Sequence, residues 1–118
     1  MNILLVDDDD LLRECFGLLL VEEGFHVIQA ASAEQALAAV KVDDAPVVLV
    51  TDLNLRSGMT GLDLVAAVRQ RQPSTRAVVI SGEYAVPGLH SSDRFLAKPF
   101  RMGELVKVIE AAAACMGI

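Results

Sequence analysis

The chain has no tryptophan, one tyrosine and four phenylalanines in 118 residues. An all-β sandwich would call for more aromatic and turn residues, so a fold of that class is disfavoured. Positive charge is also scarce. Ten bases stand against 16 acids, the formal net charge is −6, and no Lys/Arg run occurs anywhere. A nucleic-acid partner would want a clustered basic patch, and none can be built. There are only two cysteines, Cys15 and Cys115, 100 positions apart in the chain. Each lies in an apolar pattern of helical spacing, which predicts reduced, buried thiols rather than a disulfide scaffold. No apolar run approaches the roughly 18 residues of a membrane span, and the first residues lack the basic stretch of a secretory signal. The expectation is a cytoplasmic protein with no membrane partner.

What the sequence has in abundance is Val, Leu, Ile and Ala; hydrophobic residues make up 53% of it. One domain over residues 1–118 is expected from the length. Short aliphatic runs alternate with segments of helical period, the pattern of βαβ units with a parallel sheet. The first strand is expected at Ile3–Val6. A helix from Asp10 should carry Leu12, Cys15, Phe16, Leu19 and Leu20 on its apolar side and close at Gly24 in the left-handed conformation. Phe25–Gln29 reads as a second strand. Ser32 should cap the next helix with Gln35 as capping-box partner, and Ala36, Leu37 and Val40 facing inward. After Pro46, the continuous run Val47–Val50 suits a central strand covered on both faces. A third helix is predicted at Leu62–Arg71, stopped by Pro73, and "RAVVIS" reads as the fourth strand. A short strand at Phe95–Ala97 precedes a last helix from about Arg101 to Cys115, with Met102, Leu105, Val106, Ile109, Ala113 and Met116 as its stripe. Between them, Gly82, Pro87 and Gly88 leave little room for a helix, so the fourth crossover helix is expected to be short or absent.

The opening "MNILLVDDDD" drives an aliphatic strand into four aspartates. Adjacent carboxylates repel, and burial makes this worse. In open parallel sheets, ligands bind beyond the carboxyl ends of the strands. The residues expected there are Asp7 and Asp8 after the first strand, Asp52 at the end of the third, Ser81 after the fourth, and Lys98 with Pro99 after the fifth. A hard cation with oxygen ligands, Mg²⁺, would offset the repulsion. Asp52 would then serve as a carboxylate nucleophile toward phosphorus, with Lys98 and the metal taking up charge on the phosphoryl oxygens and Ser81 donating a hydrogen bond.

The acidic pair in "LLVDDDD", the aspartate of "VVLVTDLNL", the hydroxyl of "VVISG" and the "FLAKPF" segment together resemble the receiver domain of two-component response regulators, over essentially the whole chain. The resemblance implies a flavodoxin-like, five-stranded parallel sheet in the order 2-1-3-4-5, with helices on both faces. It also implies phosphorylation of Asp52 by a sensor histidine kinase or histidine phosphotransfer protein, and signalling by conformational change to a downstream protein target. Implied Mg²⁺ ligands are Asp8, Asp52 and the backbone carbonyl of Asn54, with Asp7 acting through water. Ser81 and Phe95 would rearrange on phosphorylation. Such a module is not an enzyme in its own right, though it assists its own phosphorylation and dephosphorylation. Two features depart from the family pattern. The loop after Asp52 carries Arg56 and Ser57 where proline and glycine are usual, and the spacing from Ser81 to Lys98 is short.

Plainer roles compete at several positions. Asp9 or Asp10 is expected to be only a helix cap. His26 and His90 are isolated and read as packed or solvated imidazoles, and Arg56 as a solvated loop residue. Phe95 suits a buried strand-end aromatic as well as a switch. No segment after the last helix would supply a DNA-binding output, so a stand-alone regulator, a phosphorelay shuttle and the receiver piece of a hybrid kinase are all compatible with the sequence. Whether two copies pair is open at this level. An aspartate-nucleophile phosphatase of the haloacid dehalogenase kind would need an acid two residues after Asp52, where Asn54 stands.

Overall fold

A computed structural model describes residues 2–40, 47–55, 58–82 and 93–114. Five parallel strands form one sheet in the order β2-β1-β3-β4-β5: β1 Asn2–Val6, β2 His26–Ala30, β3 Val47–Asp52, β4 Arg76–Ser81 and β5 Arg94–Ala97. The four helices among the described residues are α1 Asp10–Glu22, α2 Ala33–Ala39, α3 Gly61–Arg71 and α4 Met102–Ala114. The alternation of strand and helix required this class, because parallel neighbours can be joined only by a crossover. The segment in which the weak fourth crossover helix was expected, including His90, lies outside the described residues, as do Pro46, Arg56, Cys115 and Met116.

Two apolar layers sandwich the sheet. Leu4, Val6, Leu49, Ala77 and Val79 point to the side covered by α2 and α3, through Ala33, Ala36, Leu64, Val65 and Val68. Ile3, Leu5, Val48, Val50, Val78 and Ile80 point to the other side, against Leu20 of α1 and Leu105, Ile109 and Ala112 of α4. The continuous aliphatic runs follow from this, since both faces of β1, β3 and β4 are dry.

Local chemistry sets the element ends. Asp9 caps α1, its side chain accepting the Leu12 N–H; Asp10 instead pairs with Arg13. Gly24 ends the turn after α1 with a positive φ of 96°, as the sequence required. Ser32 caps α2 by accepting from the Gln35 N–H, while the Gln35 side chain accepts from the Ala31 N–H, one residue earlier than a standard capping box would have it. Thr60 and Asp63 form a full reciprocal capping box at α3.

The inner face of α1 differs from the expectation. Cys15 is exposed, not buried, and Leu12 and Leu19 are each 40% exposed. The residues turned inward are Leu20, Gly17 and the half-buried Phe16. A β-carbon at 17 would stand 2.4 Å from the Gln29 side-chain nitrogen, so a larger residue there would push that exposed side chain aside. The helix is apolar nearly all round, so hydrophobic period alone could not select the buried side.

Candidate functional site

Strand register brings the candidate residues to one rim. Val6 lies level with Ala30 and Thr51, Asp52 with Ile80, and Ser81 with Ala97. Beyond those pairs the ladder continues for one more step on each strand: Asp7 N–H to Ala30 O (3.2 Å), Leu53 N–H to Ile80 O (2.8 Å) and Lys98 N–H to Ser81 O (2.8 Å). Backbone hydrogen bonds thus fix the heights of Asp7, Asp52, Ser81 and Lys98 before their side chains are considered.

The Lys98 ammonium donates to Asp52 Oδ2 at 2.9 Å. The lysine side chain is 39% exposed and the aspartate 16%. A pair this open to water adds little to stability. It does, however, hold one cation against one carboxylate at the mouth of the sheet. Ser81 is buried on the neighbouring strand, and Phe95 is half-buried on β5, level with Val79.

The four aspartates divide into different tasks. Asp7 is buried and its Oδ1 accepts the Asp9 N–H at 2.9 Å. Desolvation raises its carboxyl above the usual aspartate range, and the charges of Asp52 and Asp8 add to that against the lowering effects of the Asp9 N–H and Lys98. Asp8 is half-buried, Asp9 is the cap, and Asp10 holds Arg13. Arg13 Nη1 also donates to the Asp7 carbonyl at 2.9 Å. The sequence reading missed Arg13, although its place three residues after Asp10 on a helix is the spacing of an ion pair.

Gly61 was also missed. Its N–H donates to Leu53 O at 2.7 Å, and a β-carbon on it would lie 2.3 Å from the Asp52 carbonyl oxygen. An isolated antiparallel bridge between Asn54 and Thr60 closes the same loop. The start of α3 is therefore pressed directly onto the backbone of Asp52, and glycine is the residue that fits. Its signal was the "TG" step ahead of a helix, which marks close backbone approach as readily as a loop. Asn54 is exposed at this turn, and His26 is exposed on the edge strand, away from any role here.

Among the described residues no three His, Cys, Asp or Glu side chains form a group that could hold an ion by themselves. Mg²⁺ does not ask for that, since it commonly keeps several waters and takes one or two carboxylates plus phosphate oxygens. The donor set fits: the rim offers only oxygen ligands, and the Asp7 carboxyl, raised first by burial, is raised further by the charges of Asp52 and Asp8. No helix among the described residues is long and apolar enough to cross a membrane.

A family model described as "Response regulator receiver domain" matches residues 3–110. Response regulator RR06 of Streptococcus pneumoniae serotype 2 is 32% identical over 118 residues, covering 94% of this chain and 52% of that protein. The chain thus spans about half the length of that relative, and 21% and 26% of the Thermotoga maritima cyclic di-GMP phosphodiesterase and Escherichia coli GlrR that it also matches. Among solved structures, the receiver domain of the hybrid histidine kinase CckA superposes with a TM-score of 0.81 at 26% identity, covering 95% of this chain and 98% of that one. The response regulator TrrA of Thermotoga maritima, crystallised in complex with Mg²⁺ and BeF, shares the fold with a TM-score of 0.78 at 24% identity, over 94% of this chain and 97% of that one.

Proposed function

The chain belongs to the response regulator receiver domain family, and from that membership we propose that residues 1–118 form one receiver whose Asp52 accepts a phosphoryl group from a phosphohistidine donor. Receivers are signalling modules that accept phosphorylation, bind Mg²⁺ and interact with histidine kinases or phosphotransfer proteins, rather than classical enzymes. The observation that carries the assignment to Asp52 is the Lys98 contact at 2.9 Å, made across 46 residues of sequence at the carboxyl end of the central strands.

In the proposed step a carboxylate oxygen of Asp52 attacks phosphorus in line, the phosphorus–nitrogen bond of the donor breaks, and the imidazole leaves with the electron pair. Lys98 exchanges its contact with Asp52 for one with an incoming phosphoryl oxygen, a trade between two anions of similar geometry. Ser81 donates its hydroxyl to another of those oxygens. Mg²⁺, held by Asp8, Asp52 and the Asn54 carbonyl with Asp7 behind, would supply charge neutralisation on the same oxygens. Asp7 gains from that cation, because burial and the charges of Asp52 and Asp8 all disfavour its ionised form. The acyl phosphate so formed carries about two negative charges and is prone to hydrolysis, which suits a transient signal. Ser81 and Phe95 transmit the change to a downstream protein target, in a cytoplasmic setting.

The test is incubation of the full chain with a small phosphodonor and Mg²⁺, followed by intact-mass measurement. A phosphoryl increment is expected, absent in Asp52→Asn and absent when the metal is chelated. An increment of equal yield in Asp52→Asn would move the acceptor elsewhere and end the assignment.

A further inference from the structure

The first turn of α1 inverts the usual order of burial. Leu11 is 71% exposed and Leu12 40%, yet the side chain of Arg13 next to them is only 11% exposed. An arginine is seldom taken out of water without partners for its charge. Asp10 does not account for it. That carboxylate is 78% exposed, and an ion pair so open to water does little to offset the desolvation of a guanidinium. The second contact is the informative one. Arg13 Nη1 also donates to the Asp7 carbonyl oxygen at 2.9 Å, six residues back and across the turn that leads from β1 into α1.

That oxygen belongs to the peptide unit joining Asp7 to Asp8. The unit is rigid and planar, so holding its oxygen holds the plane, and with it the backbone from which the Asp8 side chain leaves. Neighbouring bonds tie the turn on either side: Asp7 N–H to Ala30 O at 3.2 Å, Asp9 N–H to Asp7 Oδ1 at 2.9 Å, and Leu12 N–H to Asp9 Oδ1 at 3.1 Å. The Arg13 bond falls on the peptide between the two acids. Its donor is charged, which makes it stronger than a bond between neutral backbone groups. Nη1 carries two hydrogens, and with one directed to the Asp7 carbonyl and the other to Asp10 Oδ1 at 2.8 Å, the planar fork is kept from turning. The guanidinium thus grips backbone at the rim, not one of the rim carboxylates.

We propose that Arg13 is a positioning residue for the cation site: a clamp from α1 that presets the Asp7–Asp8 turn, so that the Asp8 carboxylate is in place to share Mg²⁺ with Asp52. This role rests on Mg²⁺ binding at that rim as proposed above. The direction of the effect separates a clamp from simple electrostatics. A positive charge close to the acids repels a second cation, so on charge alone removing Arg13 would tighten Mg²⁺ binding. Removing a clamp does the opposite, because a ligand that must be ordered on binding takes its entropy cost out of the affinity. Cutting a bond that supports a metal ligand typically weakens the metal by about 10–100-fold.

Calorimetric titration of Mg²⁺ into the full chain tests it, comparing the unaltered protein with Arg13→Met and Arg13→Lys and confirming by circular dichroism that each is folded. Methionine keeps an apolar stem in the buried position but has no donor, and lysine keeps a charged donor on a flexible stem. Arg13→Met should raise the Mg²⁺ dissociation constant at least about tenfold, and Arg13→Lys should recover most of that loss. Arg13→Gln, uncharged and shorter, keeps the test decisive if the methionine variant unfolds, and should weaken binding likewise. A residue that served only to stabilise α1 would leave the dissociation constant of the folded variants unmoved. An unaltered or tightened constant in Arg13→Met or Arg13→Gln, beside an unaltered protein that binds Mg²⁺, therefore overturns the clamp and leaves the cation site standing. So does a lysine variant that binds no better than the methionine one. Absence of Mg²⁺ binding by the unaltered protein overturns the cation site and the clamp together.

Discussion

The two rims of the sheet each carry one carboxylate paired with one cation, yet the two pairs do opposite things. At the amino-terminal rim Arg69 meets Asp93, whose side chain is only 1% exposed. Asp93 also accepts the Ala77 N–H at 3.0 Å, and Arg69 Nε donates to the Thr75 carbonyl at 3.2 Å. The Asp93 carboxylate and the Arg69 guanidinium thus each have a second protein partner besides one another, and the pair ties α3 to β4 and β5. At the carboxyl-terminal rim Lys98 and Asp52 meet through a single hydrogen bond, with the lysine more than a third in water. A pair enclosed by protein can only be broken at a cost, whereas a solvated pair can exchange partners for a phosphoryl oxygen or a cation. Burial and the count of extra hydrogen bonds, not the identity of the charges, separate structure from function here.

That contrast can be broken experimentally, and the largest effect is expected at the enclosed pair. Asp93→Ala leaves the Arg69 guanidinium and the Ala77 N–H without their shared acceptor, and urea unfolding should show a loss of about 3 kcal/mol. A loss under about 0.5 kcal/mol would mean the two pairs are equivalent. Lys98→Ala should do the reverse. Its unfolding midpoint should move by less than about 1 kcal/mol, while the initial rate of phosphoryl incorporation from a small donor falls about 10²-fold, the usual consequence of removing one oxyanion partner.

A third variant joins the two kinds of effect. Gly61→Ala forces a β-carbon against the Asp52 carbonyl, so it should cost about 1–3 kcal/mol through overpacking and also slow phosphorylation. Loss of stability with an unaltered phosphorylation rate would show that α3 positions nothing at the site.

The smallest effect concerns Asp7. Its carboxyl titrates above the usual aspartate range in the folded chain, so the unfolded chain gives up that proton first as pH rises. The native state then binds more protons than the unfolded one, and stability is lost from the ordinary aspartate pKa up to the raised folded value, staying lower above it. Asp7→Asn should therefore raise the unfolding midpoint at pH 7 in metal-free buffer and leave it almost unchanged at pH 3, while weakening Mg²⁺ binding as followed by titration calorimetry. A midpoint that drops at pH 7 would show that the Asp9 N–H bond outweighs desolvation.

Much of this was legible in one dimension. Strand β4 was read to the residue, and β1, β2, β5, α3 and α4 to within one residue at each end, because continuous aliphatic runs and helical periods are strong signals in a parallel α/β fold. Cap chemistry was legible where a short polar side chain precedes a helix, as at Ser32 and at the aspartate block. What failed was the facing of α1. Its leucines lie on nearly every side, so the period carried no direction, and Cys15 was assigned to the core it does not enter. Gly61 and Arg13 were passed over for a different reason. The use of each depends on a backbone carbonyl that only the folded chain brings near.

The sequence by itself determined the strand–helix alternation, and with it that Asp7, Asp52, Ser81 and Lys98 stand at the carboxyl ends of parallel strands, while the order of those strands was implied only by the family resemblance. Only tertiary structure decided which of two similar ion pairs would be locked and which left free to change partners. Solvent access is a property of packing around a residue, and no residue carries it alone.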